Sequence, residues 1–300
     1  MGASPRARFP VTETQMTDAN TIVETLRLAA RYNRDDPLRK GSLLEFPNYG
    51  QLVMTGDMHG HERNLDKLVK FCHLERYPVR HVILHELVHA EPERLSQPEF
   101  SARLLVRAAE WKVEFPDQVH FLQSNHELAQ LTGQEITKGG RTVIQDFNEG
   151  VAHLYGRDNT GEILGSINEF IASFPYAGRT PNRIFLSHSL PDVGELDLFD
   201  PTFITRPPSV HDFKEESDLY RLVWGRDHTP ELLDRLAEAY KVDYFIVGHQ
   251  PQETGWFVHF QRLLILASDH NHGVFLPIDL SKPTDMDQLV ARIRPFVSVM

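Results

Sequence analysis

The sequence has 300 residues with 31 Lys and Arg against 42 Asp and Glu, a formal charge of −11, and its length allows one large domain or two small ones. So acidic a balance disfavours nucleic acid or an anionic membrane as a bulk partner, because both demand a basic surface. One cysteine, Cys72, excludes an intrachain disulfide framework and a thiolate zinc cluster, while sixteen histidines leave two uses open: ligands and proton carriers, or surface decoration.

Residues 1–20 are polar, with scattered Pro and Thr, and read as a flexible tail. Arg6 and Arg8 are not followed by an apolar run, and no later stretch approaches a membrane span. With no export signal and one thiol, the cytoplasm is the expected location. Residues 21–300 read as a single domain. Thr21 to Arg34 has helical spacing and stops at Asp35-Asp36-Pro37. An α/β rhythm comes next: a strand at Gln51–Thr55, a helix at Glu62–Cys72, a strand at His81–Leu84, a helix at Phe100–Phe115 and a strand at Gln118–Gln123. After a turn at Gly139-Gly140, the patterns over Val143–Tyr155 and Glu162–Phe174 predict two helices, read as a helical cap inserted at about residues 133–175. Strands resume at Arg183–Leu186. Thr229-Pro230 supplies an N-cap and a first-turn proline for the next helix. Tyr244–Val247 reads as a strand, and Trp256–Phe260, Leu263–Ala267 and Val274–Ile278 read as a meander of hairpins. A helix over Asp285–Ile293 closes the chain.

The chemistry lies in the polar residues that terminate the strands. Gly56-Asp57-Met58-His59-Gly60, His85-Glu86, Ser124-Asn125-His126-Glu127, Ser187-His188-Ser189 and Gly248-His249-Gln250-Pro251 each come directly after a β-run. Ligand sites of open α/β sheets gather at the carboxyl ends of strands. Mixed carboxylate, imidazole and amide-oxygen donors suit Mn, Fe or Zn better than Mg or Ca. Gly56 and Gly248 are expected to let the backbone turn sharply beneath a metal.

In combination and order, these motifs resemble the calcineurin-like metallophosphoesterases, and within them the phosphoprotein phosphatase branch. Leu222-Val223-Trp224 followed by Asp227 is similar to that branch's Leu-Leu-Trp-Ser-Asp stretch. The resemblance spans roughly residues 48 to 280. It implies a four-layer α-β-β-α sandwich of two mixed sheets with two divalent or trivalent metal ions at the strand ends. Asp57 and His59 would hold the first metal, and Asn125, His188 and His249 the second. The family's next motif, Gly-Asp-x-x-Asp-Arg-Gly, supplies the bridging Asp; here Glu86 takes that position, His89 replaces the second Asp and Ala90 replaces the phosphate-binding Arg. The implied activity is phosphomonoester hydrolysis by a hydroxide that two metals activate, with His126 as general acid and Glu127 or a backbone carbonyl fixing its tautomer. Arg226 is a candidate replacement phosphate clamp. The substrate would be a phosphoprotein or a small phosphorylated molecule.

Two other readings compete. His85-Glu86-Leu87-Val88-His89 is also a literal H-E-x-x-H, the helical zinc-peptidase signature. The apparent strand before it and Pro92 after it oppose a helix there. A phosphate-binding relative that has lost turnover would show such departures at His89 and Ala90, although retention of the remaining motif residues argues against decay. Individually, Asp57 fits a helix N-cap, and His188 and His249 fit ordinary buried imidazoles. Asp269-His270-Asn271-His272 fits substrate contact or a plain turn, and Arg141 a phosphate contact or a solvated side chain.

Overall fold

The computed structural model describes residues 18–91, 98–138 and 141–299. Most of the expected tail, Pro92 and the Gly139-Gly140 turn lie outside the described residues, as does the side chain of Arg141. In chain order, α1 (Ala19–Arg34) leads to the short strands β1 (Arg39–Lys40) and β2 (Leu43–Glu45), then to β3 (Gln51–Asp57) and α2 (Glu62–Cys72). Next come β4 (Arg80–His85), α3 (Ala102–Glu114), β5 (Val119–Leu122) and α4 (Asn125–Thr132). A small ribbon of β6 (Thr137–Lys138) and β7 (Arg141–Thr142) precedes α5 (Val143–Tyr155) and α6 (Thr160–Ala172). The remainder forms β8 (Ala177–Arg179), β9 (Ile184–Ser187), α7 (Asp218–Trp224), α8 (Pro230–Tyr240) and β10 (Tyr244–Val247). It ends with β11 (Trp256–His259), β12 (Leu263–Leu266), β13 (Val274–Asp279), α9 (Met286–Arg292) and β14 (Arg294–Pro295).

Alternation along the strands sorts these elements into layers, since successive side chains leave opposite faces. Leu52, Met54, Ile83 and Leu122 turn inward to meet Ile184, Leu186, Ile246 and Leu264, which makes the core between the two sheets. Val53, Val82, Leu84 and Phe121 turn outward beneath Leu26, Leu65, Leu105 and Phe170 of the helices. On the far side, Phe185, Phe245, Val247 and Ile265 are covered by Leu222, Leu232 and Leu236. The result is a four-layer α-β-β-α sandwich, as the motif order implied.

One sheet has the order β14-β13-β3-β4-β5 and the other β1-β2-β8-β9-β10-β12-β11. Strands β3, β4 and β5 are mutually parallel, as are β9, β10 and β12, so their carboxyl ends share one edge. The expected meander is divided: β11 and β12 form a hairpin, but β13 crosses to the other sheet and pairs antiparallel with β3. Leu263–Leu266 is buried on both faces, and such a run does not reveal which neighbour it will take.

The helix pair α5 and α6 belongs to a helical layer rather than standing apart as a cap. Phe147, Val151, Ile163, Ile167 and Phe170 enter the same core as Leu26 and Ala30 of α1, and Asn33 Nδ2 donates to Ser173 Oγ at 2.9 Å. Among the described residues no helix is long and apolar enough to cross a membrane.

Candidate metal centre

Strands β3, β4, β5, β9 and β10 of the shared edge each end in a loop that delivers polar side chains into one crevice. The β3–β4 pairing shifts register between Met54 and Asp57, and Asp57 bridges to Ala267 of the other sheet. Gly56 sits where the sheets approach, and a Cβ there would overlap the Leu266 carbonyl. The loop after β4 lies on the loop after β3: the amides of Met58 and His59 donate to Glu86 O at 3.0 and 2.7 Å. His59, Glu86, His89 and His249 all adopt left-handed backbone, with φ between 36° and 67°. Non-glycine residues rarely do so, and the strain is held by the packing around them.

Glu86, almost fully buried, lies at the middle. Its Oε2 is 3.5 Å from His59 Nε2, and its Oε1 is 3.5 Å from His188 Nε2. On the second side, His188 Nε2 lies 2.7 Å from Asn125 Oδ1 and 3.0 Å from His249 Nδ1, and those last two atoms are 3.1 Å apart. Two of the rings are aimed by their far nitrogens. His59 Nδ1 faces Val88 O at 2.9 Å and His249 Nε2 faces Trp224 O at 3.1 Å. A carbonyl only accepts, so each of those nitrogens carries the proton and the inward nitrogen keeps its lone pair.

That donor chemistry fits cations. Asn125 Oδ1, His249 Nδ1 and His188 Nε2 form a triangle in which one proton cannot satisfy three mutual contacts. Among the described residues, neither ring nitrogen of His85 nor His188 Nδ1 meets a hydrogen-bond partner, although all are buried. Asp57 Oδ1 lies 3.3 Å from His85 Nε2 and accepts the His249 amide at 2.9 Å. Burial alone would push the Asp57 carboxyl up, but the His85 ring beside it and the imidazole of His188 hold it well below the usual carboxylate range. Burial drives His188 well below its ordinary value, and it drives His249 down to about 4, with help from the Arg226 guanidinium. Neutral imidazoles beside an ionised carboxylate are the states in which both bind metal. Two groups of donor atoms within 4.8 Å of one another result, Asp57-His85-His188 and His59-Glu86-His126.

Several expectations change on this geometry. Glu127 does not face His126: its Oε1 accepts from Leu87 N at 2.6 Å, and Oε2 meets the Ser124 hydroxyl. Ser124 in turn caps α4 by accepting from Glu127 N. Ser124-x-x-Glu127 is a capping-box spacing, a signal available in the sequence. The ring that faces His126 Nδ1 is His89, Nδ1 to Nδ1 at 3.0 Å. Gly248 is not in a left-handed turn; a Cβ there would overlap Asp57 Oδ1, so glycine is needed for space. Residues 86–91 are not helical, and His85 and His89 diverge, one toward Asp57 and the other toward His126. The peptidase reading fails on both counts. His270 Nδ1 accepts from His272 N in a turn. Arg226 is exposed at the rim, where its amide donates to Asp192 Oδ1 at 2.5 Å. Sequence reasoning gave His85 a role only in the peptidase reading and did not single out Gln130, whose Oε1 lies 3.0 Å from His89 Nε2.

A sandwich of this layering, with carboxylates and imidazoles gathered where its parallel strands end, defines a metallophosphoesterase. The calcineurin-like phosphoesterase family matches residues 51–253, more than half of the sequence. The chain belongs to that family. Among solved structures it is similar to a protein serine/threonine phosphatase from Saccharomyces cerevisiae, at 13% identity and a TM-score of 0.63, over 92% of this chain and 88% of that one. It is also similar to a cold-active protein-tyrosine phosphatase of a psychrophilic Shewanella, at 15% identity and a TM-score of 0.54, over 79% of this chain and 77% of that one. At these identities the likeness is one of fold. No curated protein matches the chain in sequence.

Proposed function

We propose that the chain is a phosphomonoesterase acting on a phosphoprotein or a small phosphorylated molecule, with two transition-metal ions drawn from Mn, Fe and Zn. Asp57, His59 and Glu86 would hold the first ion, and Glu86, Asn125, His188 and His249 the second. The observation that carries this reading is the Glu86 carboxylate, whose two oxygens lie 3.5 Å from His59 Nε2 on one side and His188 Nε2 on the other. Bound there, the pair of ions supplies Lewis-acid activation of water and of the phosphate.

The protein supplies the rest. His126 donates its Nε2 proton to the leaving oxygen, whose expulsion as an unprotonated alkoxide is the difficult part at neutral pH. Arg226 offers a guanidinium at the rim in place of the arginine that Ala90 lacks. Glu127 holds the loop that carries Glu86. The test is hydrolysis of p-nitrophenyl phosphate with added Mn, compared between the wild-type protein and Asp57→Asn. A loss of two or more orders of magnitude, about what removing one element of a metal-assisted site costs, supports the reading. Equal rates in the two proteins overturn it.

A further inference from the structure

The second motif departs from the family at position 89, and the hydrogen bonds beyond His89 explain how an imidazole can stand there. His89 Nδ1 faces His126 Nδ1 at 3.0 Å, and His89 Nε2 faces Gln130 Oε1 at 3.0 Å. The Gln130 amide is itself oriented, because its Nε2 donates to Asn148 Oδ1 at 3.1 Å. His89 is buried, and its ring meets that of Phe147 edge to face, with centroids 5.5 Å apart. This row of polar groups therefore runs from α5 through α4 to the metal crevice.

The polarity of the row is set by its outer end. A carboxamide oxygen accepts and cannot donate, so the His89 proton sits on Nε2. A neutral imidazole so protonated has a lone pair on Nδ1. The hydrogen between the two Nδ1 atoms then belongs to His126. His89 presents to His126 the same thing a carboxylate would present, an acceptor, and no reversal of polarity is required. The His126 ring packs edge-on against that of His59, with centroids 4.9 Å apart.

We propose that Gln130 and Asn148 are positioning residues that lock His89 as a hydrogen-bond acceptor, so that protonated His126, its Nδ1–H held by His89, aims Nε2–H at the departing oxygen. The inference rests on the reading of His126 as general acid. In the step it serves, the bond from phosphorus to the leaving oxygen breaks and its electron pair stays on that oxygen. His126, protonated on both ring nitrogens, gives its Nε2 proton to that oxygen to form the alcohol; the oxygen of the attacking water bonds to phosphorus, one of its protons stays on the phosphate and the other leaves to solvent, from which His126 is reprotonated. Until then His126 is neutral with its Nδ1–H still donated to His89, so His89 neither gains nor loses a proton.

The experiment compares aryl phosphates of graded leaving-group acidity, from p-nitrophenyl to phenyl phosphate, in the metal-loaded wild-type enzyme, Gln130→Leu, Asn148→Leu and Gln130→Glu. Gln130→Glu keeps the acceptor and is expected to behave like the wild type. Gln130→Leu is expected to lose about tenfold or more in kcat/KM on phenyl phosphate beyond any loss on p-nitrophenyl phosphate, because good leaving groups need little acid catalysis. Asn148→Leu should show the same bias to a smaller degree. A loss of equal size on every substrate, or no rescue by Gln130→Glu, overturns the proposal. In parallel, long-range proton–nitrogen spectra of histidine-labelled wild-type protein report the tautomers directly. A proton on His89 Nε2 that becomes mixed between the ring nitrogens in Gln130→Leu supports the relay, and a proton on His89 Nδ1 in the wild type refutes it. A wild-type protein that turns over no aryl phosphate would refute the phosphatase reading instead, and the spectra would still decide the tautomer.

Discussion

Glu127 Oε1 accepts the Leu87 amide proton at 2.6 Å, so a side chain in the first turn of α4 fastens the loop that carries Glu86 and His89. Both groups are buried, and burial pushes the Glu127 carboxyl up from its ordinary range while the Ser124 and Leu87 hydrogen bonds oppose that. Removing the acceptor leaves the Leu87 N–H without a partner away from water. Glu127→Ala is therefore expected to lower the unfolding free energy by about 1–3 kcal/mol, measured by urea denaturation, and to reduce turnover as the loop shifts. Glu127→Gln retains an acceptor for Leu87 and should recover most of both. A Glu127→Gln protein of normal stability but without activity would instead point to a direct chemical task for the carboxylate.

Gly248 occupies the space beside the Asp57 carboxylate, and a methyl group there would meet both Asp57 Oδ1 and His85 Nε2. Neither atom belongs to the end of a flexible chain, since both are buried. Gly248→Ala should displace the carboxylate and lower metal affinity by about 10–100-fold, the scale on which supporting groups act. Metal titration followed by calorimetry reads this directly. Unchanged affinity would show that Asp57 is not a ligand in the position described.

A second buried polar group lies at the opposite end of the same sheet. His81 Nδ1 faces His120 Nε2 at 3.1 Å, and His120 Nδ1 faces Asp36 Oδ2 at 2.9 Å. The Lys112 ammonium donates to the same Asp36 oxygen at 3.2 Å. Burial, then the neighbouring His120, push the His81 imidazole down to about 4. Between pH 6.5 and 4 the unfolded chain binds a proton at His81 that the folded chain refuses, so stability falls as pH falls through that window. The shift corresponds to on the order of 3 kcal/mol between pH 7 and pH 4. His81→Asn keeps a donor toward His120 and should flatten this part of the stability profile. The same slope in both proteins would place the pH sensitivity elsewhere.

Local patterns carried the elements well and the contacts between them poorly. Helices α2 and α5 and strand β10 have the bounds that periodicity and breakers predicted, because those signals are confined to the segment itself. The site residues were legible for a related reason: each motif directly succeeds its own strand. The parts that were not legible depend on partners far along the chain. Glu127 is spoken for by Leu87, forty positions earlier, and Gln130 acquires meaning from His89 and Asn148. Gly248 is a glycine because of Asp57, not because of its own turn. Helix α4 begins at Asn125, inside the stretch that the sequence presented as a ligand motif. The pair α5–α6 looked like an inserted cap because its amphipathic pattern names a buried face without naming the surface that buries it.

The proposed joining of two metal sites by Glu86 is tested most directly by metal content. Elemental analysis of wild-type protein loaded with Mn, Fe or Zn is expected to give about two ions per chain, as two-metal hydrolysis requires. Glu86→Gln should retain one ion or fewer, in step with loss of p-nitrophenyl phosphate hydrolysis. Two ions retained in Glu86→Gln with activity intact would contradict the account.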